Sequence, residues 1–151
     1  MLDKTDEIRR SLNELFSSQS LAVLSTHQDG QPYASLVAFA ATEDLKHFFF
    51  VTPKTTRKFA NLSADCRVAM LINSSQNENA DFHRAISVTM VGSAEEISGS
   101  DKEKYIRFYL ERHPYLQDFV QSPTSALVRV NARSYYLVKN FQNVMELHIS
   151  Q

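Results

Sequence analysis

The stretch Phe50-Val51-Thr52-Pro53-Lys54-Thr55-Thr56-Arg57-Lys58 carries the types and spacing that can do chemistry. An apolar run ends at Thr52, and a helical pattern starts near Thr56, with Thr55 or Thr56 suited to the N-cap. A helix start presents N–H groups without intrahelical acceptors, at the positive end of the aligned peptide dipoles. Arg57 and Lys58 add two full positive charges there, against the dipole, and the hydroxyls of Thr52, Thr55 and Thr56 surround them. An anion of the phosphate type would relieve that conflict. Each charge-assisted hydrogen bond to it would contribute about 1.5–3 kcal/mol. Short Thr/Lys/Arg clusters also occur on ordinary solvated helix starts, and these residues alone leave both readings open.

Other chemistries are excluded more firmly. The three glycines (Gly30, Gly92, Gly99) never fall at dinucleotide-fingerprint spacing, so a Gly-rich phosphate loop is impossible. The single cysteine, Cys66, rules out an intrachain disulfide, a CxxC pair and a cysteine-based zinc site, and reads as a small apolar filler. None of the five histidines (His27, His47, His83, His113, His148) has another at i+3 or i+4, so a metal-binding helix of the HExxH kind is absent. No carboxylate pair or Ser-His-Asp set stands out, and no side chain is nominated as catalytic. A net charge of −1 gives no global attraction to nucleic acid or an anionic membrane. The apolar runs Leu36–Ala41 and Val68–Ile72 fall far short of the ~20 residues that span a bilayer. The acidic start, Met1 to Glu7, does not suit a signal peptide. The expectation is a cytoplasmic protein with no nucleic-acid or membrane partner.

The elements that must position the cluster follow from periodicity. At 151 residues one domain, 1–151, is expected. Ile8, Leu12, Leu15 and Phe16 form one helical stripe over residues 3–18, with Asp3 or Thr5 as cap. Strands are expected at 20–27, 33–41 and 46–52, with Asp29-Gly30 turning the first pair. Short turns between them make an antiparallel meander. A short helix over 55–63 leads to strands at 67–73 and 85–97, the second with a bulge at Gly92. Helices at 100–112 and 114–120 precede strands at 125–138 and 144–149, while 74–81 reads as a loop. Alternation turns at least one ring of Phe48-Phe49-Phe50 away from the interior, where it would serve as a dimer contact. Tyr105, Phe108 and Tyr109 read as core. The fold class is α+β, mainly β: an antiparallel barrel of six to seven strands, which removes open edges, with short flanking helices.

From Gly30 to Ile72 the sequence resembles the FMN-binding split-barrel family, whose best-known class is pyridoxamine 5′-phosphate oxidase. Gly30-Gln31-Pro32 matches the family's Gly-x-Pro turn, and Tyr33 to Phe39 matches the strand that passes under the flavin. Phe50-Val51-Thr52 matches an aromatic-x-Thr strand end, and Thr56-Arg57-Lys58 matches the Ser/Thr-Arg-Lys helix start. Asp65-Cys66-Arg67-Val68 stands where the family reads Asn-Pro-Arg-Val, and Gly92-Ser93-Ala94-Glu95 matches a Gly-x-Ala-Glu signature.

The resemblance implies a split barrel binding FMN in electron transfer to or from a small molecule. Arg57 and Lys58 would hold the phosphate, with Thr56 and Thr52 giving hydroxyls. Ser35, Leu36 and Val37 would line the ring, and Val51 and Thr52 would contact the ring or ribityl chain. It also implies a homodimer with the flavin at the interface. The under-flavin strand of the vitamin-processing oxidases begins with Arg and ends with Lys; here those places hold Ser35 and Ala40. Their Arg-Leu-Ala-Pro ending and last-strand tryptophan are also missing, which argues against pyridoxamine phosphate as substrate. The alternatives are a haem-binding or haem-degrading relative, with His148 as candidate ligand, a deazaflavin binder, and a flavin-holding stress protein without turnover. For the haem branch, Tyr136-Leu137-Val138-Lys139-Asn140-Phe141 stands where those relatives read Tyr-Leu-Val-Gly-Gly-Phe.

Overall fold

The computed structural model describes residues 3–150; Met1, Leu2 and Gln151, at the ends of the expected 1–151 domain, lie outside the described residues. The first helix, α1 (Lys4–Ser18), is capped as its sequence expects, with the Asp6 amide donating to Asp3 Oδ1 at 2.8 Å. Its buried stripe is Ile8, Leu12, Leu15 and Phe16. Next come β1 (Leu21–Gln28), β2 (Gln31–Ala38), a two-residue β3 (Ala40–Ala41) and β4 (His47–Pro53). Asp29 (φ 52°) and Gly30 (φ 80°) both take the left-handed conformation that a tight two-residue hairpin requires.

After β4 the chain forms α2 (Arg57–Ala64), β5 (Arg67–Asn73), a one-turn α3 (Asp81–Arg84) and β6 (Ile86–Glu96). It ends with α4 (Asp101–Arg112), a 3₁₀ turn (Pro114–Leu116), α5 (Gln117–Gln121), β7 (Ser125–Lys139) and β8 (Asn143–His148). No helix among the described residues is long and apolar enough to cross a membrane.

The sheet is antiparallel and runs β2-β1-β5-β6-β7-β4-β3, with β8 paired to β7. Its two ends, β2 and β3, are one stretch of chain interrupted at Phe39. Residues 31–41 therefore close the sheet on itself, pairing with β1 on one side and, at Ala40–Ala41 alone, with β4 on the other. This is the expected barrel, with six staves and β8 as a seventh strand. Below Phe39 β2 and β4 diverge, and that divergence is the split. The interior holds Leu24, Phe48, Phe50, Met70, Met90 and Tyr135 among others, all with no measurable exposure.

Two expectations are corrected. Phe49 does point out of the barrel, but it is fully buried: α4 covers it, with the Tyr105 ring stacked at 4.7 Å and Phe108 edge-on at 5.7 Å. It is part of a second core with Val51, Tyr109 and Leu127, not a dimer contact. Cys66, expected as an apolar filler, is exposed just before β5.

The β6–β7 register shifts between Val91 and Gly92, with Arg133 as the extra residue on β7. The expected bulge is there, on the strand opposite the glycine. A Cβ at Gly92 would collide with the Asn131 carbonyl. Relieving that requires backbone movement inside a ladder, so Gly92→Ala should destabilise the fold by about 1–3 kcal/mol. Urea denaturation checks this, and an unchanged midpoint would contradict the close approach.

Candidate functional site

The split positions the basic cluster. Thr52 is the last but one residue of β4 and is fully buried. Its hydroxyl lies 2.9 Å from that of Thr56, the N-cap of α2, which accepts from the Phe59 amide at 3.3 Å. Both hydroxyls also lie within hydrogen-bond distance of the Pro53 carbonyl oxygen, at 3.2 and 3.0 Å. This knot fixes the angle at which α2 leaves β4. The first turn of α2 has no acidic residue. Among the described residues, the Arg57 and Lys58 amides have no acceptor, and neither side chain has a carboxylate within ion-pair distance. Partial burial pushes the Lys58 ammonium below the ordinary lysine range. Two cations and two such N–H groups at one point give this helix start the chemistry that suits an anion. Lys54, by contrast, is paired with Glu96 at 3.5 Å, and Thr55 is exposed.

The expected ring-lining residues divide. Leu36 points outward and is 65% exposed, whereas Val37 points into the barrel core. Ser35 shares the inward direction of its cross-strand partner Leu24, and its hydroxyl is buried without a hydrogen-bond partner among the described residues. Val51 is taken up by the second core. Val37 and Val51 therefore have only main-chain atoms to offer a ligand. Below Phe39 the edge of β2 facing the split carries no strand, which leaves backbone groups for a polar ring edge. The side chains brought together at the foot of the split are Thr52, Thr56, Arg57 and Lys58, with Ser35 on the adjoining strand.

The structure adds residues that the sequence does not announce. The Arg57 guanidinium lies over the Tyr33 ring, 5.8 Å from its centroid. Asn61, one turn along α2 from Arg57, is buried and donates from its amide nitrogen to Thr26 Oγ1 at 3.1 Å. Its carbonyl oxygen has no donor among the described residues. The i, i+4 spacing of Arg57 and Asn61 was readable, but that this face meets the β1–β2 hairpin was not. At the top of the split, Tyr109 donates its hydroxyl to the Ala38 carbonyl at 2.9 Å, and His113 Nε2 donates to the Phe39 carbonyl at 2.7 Å. These bonds hold the break between β2 and β3.

The other candidates lie elsewhere. His148 is on β8, with Nδ1 at 2.8 Å from Ser134 Oγ and Nε2 at 3.2 Å from Glu146. Both ring nitrogens are occupied. No group of three or more His, Cys, Asp or Glu among the described residues could hold a metal.

Residues 8–139 match the family model described as pyridoxamine 5′-phosphate oxidase. No curated protein matches the chain. Among solved structures, a haem-binding protein from Mycobacterium smegmatis superposes with TM-score 0.82 at 15% identity, over 98% of this chain and 59% of its own. General stress protein 26 from Bacillus anthracis gives 0.72 at 15% identity, over 95% and 99%. An FAD-binding protein from Mesorhizobium loti gives 0.69 at 15% identity, over 85% and 90%. At such identities these likenesses establish the shared fold.

Proposed function

We propose, since the chain belongs to the pyridoxamine 5′-phosphate oxidase family, that it is an FMN-binding flavoprotein acting as an oxidoreductase on a small molecule. One observation carries this reading: Arg57 and Lys58, with no carboxylate partner among the described residues, sit at the start of α2, beside the Thr52–Thr56 hydroxyl pair, at the foot of an open split. Arg57 and Lys58 hold the phosphate, with the two free amides of the first turn and the Thr56 hydroxyl completing its shell. The open edge of β2 at residues 35–37 orients the ring, and the Thr52 hydroxyl borders the ribityl chain. Bound there, the flavin supplies the redox chemistry, while the protein supplies position and electrostatics.

The outer face adjoining the split argues for a homodimer with the flavin at the interface. Leu21, Leu36 and Leu71 lie on the neighbouring strands β1, β2 and β5 and are 55%, 65% and 40% exposed. An apolar stripe of that kind is best covered by a second copy. A small-molecule substrate or electron donor then enters beside the ring, and the protein works in the cytoplasm. The FAD-binding relative supports flavin, and the haem-binding relative keeps haem as the rival. The occupied ring nitrogens of His148 speak against haem here.

The test is the visible spectrum of the protein purified in the dark, repeated after adding FMN and then haem. The expected result is a two-band flavin spectrum, reduction of the bound flavin by NAD(P)H, and a dimeric mass by light scattering. A colourless protein that ignores FMN and takes up haem with a sharp Soret band would overturn the reading. A bound flavin inert to every donor tried would leave a binder without turnover.

A further inference from the structure

Past Arg57, on the side away from residues 35–37, the surface continues into a cleft between α2 and the β1–β2 hairpin. Its volume is about 550 Å³, and Gln28, Asp29, Gln31, Tyr33, Arg57 and Asn61 line it. That size lies within the roughly 300–1,000 Å³ of small-molecule sites. A flavin mononucleotide anchored by its phosphate at Arg57 ends where this cleft begins. Resting on the flavin reading above, we propose that the cleft is a subsite for the adenylyl half of a flavin dinucleotide. FAD would then lie with its pyrophosphate at Arg57 and its adenosine beyond it.

Three features of the lining fit that half. The Tyr33 ring is 39% exposed and already carries the Arg57 guanidinium on it. An aromatic ring beside an arginine is a stacking surface for a nucleobase. Asp29, at the hairpin turn, offers a carboxylate of the kind that accepts from ribose hydroxyls. The planar guanidinium of Arg57 has enough donors to serve two adjacent phosphates. FMN alone would leave the exposed part of the Tyr33 ring without a base to stack on it.

The experiment titrates the flavin-free protein with FMN and with FAD by flavin fluorescence. It then repeats both titrations on Gln31→Trp, a bulky substitution at an exposed strand position that tolerates it. Wild type should bind FAD at least about fivefold more tightly than FMN, the low end of what one stacked base contributes. Gln31→Trp should abolish that preference and leave FMN affinity within about twofold. If FMN binds and FAD binds no more tightly, or if the FAD preference survives Gln31→Trp, the subsite is wrong and the flavin reading stands. If neither flavin binds, both fall together.

Discussion

Replacing Arg57 and Lys58 together with alanine should lower flavin affinity by about a hundredfold to ten-thousandfold. Both side chains sit at the start of α2 with no carboxylate partner among the described residues. Each loses a charge-assisted hydrogen bond to phosphate worth about 1.5–3 kcal/mol, and the two losses roughly add. The fold should hardly notice. Alanine is a better helix former than either residue, and removing two cations from the positive end of a helix relieves a repulsion. A fluorescence titration therefore shows lost binding beside an unchanged thermal midpoint. Unaltered affinity in the double variant would remove the phosphate site from this helix.

Phe48→Ala should cost about 3–5 kcal/mol of stability, without touching the split directly. Phe48 is fully buried, with ring centroids 5.1 Å from Phe16, 5.8 Å from Phe39 and 6.2 Å from Tyr135. These rings come from α1, the strand break, β4 and β7, so no single neighbour can move in to fill the void. Against a typical domain stability of about 5–15 kcal/mol, the loss is a large fraction of the whole. Urea denaturation measures it, and a loss below about 1 kcal/mol would mean that the ring cluster is looser than its centroid distances require.

What the sequence made legible is what local pattern controls. The strand at 67–73 lies where the apolar run Val68–Ile72 puts it, and Asp29-Gly30 turns the hairpin it promises. The break at Phe39 was hidden because Leu36 to Ala41 is apolar throughout. That run changes neighbours midway, from β1 to β4, and hydropathy does not record which strand a residue faces. The one-turn α3 begins where the loop expected at 74–81 ends, and that loop is ordered by one side chain: the Asp81 carboxylate accepts from the Gln76 and Glu78 amides. The fate of Phe49 depended on a helix some fifty residues later in the chain. In the site, Arg57 and Lys58 were legible because cations at a helix start conflict with local electrostatics. Tyr33 and Asn61 were not, because their roles arise from the packing of α2 on a hairpin that precedes it in the chain.

Strand β7 is bonded on one edge to β6, and on the other first to β4 and then to β8. It is also the last stave of the barrel to be synthesised. At roughly 5–20 residues per second, a nascent chain waits several seconds between completing β4 and beginning β7. From the completion of β6 until β7 arrives, β4 and β6 both expose unpaired edges, and the ring cannot shut however well the earlier hairpins have formed. Vectorial synthesis thus delivers the keystone late. A ribosome stalled before Lys139 leaves an open, adhesive sheet rather than a smaller barrel, and translation speed across residues 97–139 sets how long the cell must shield it.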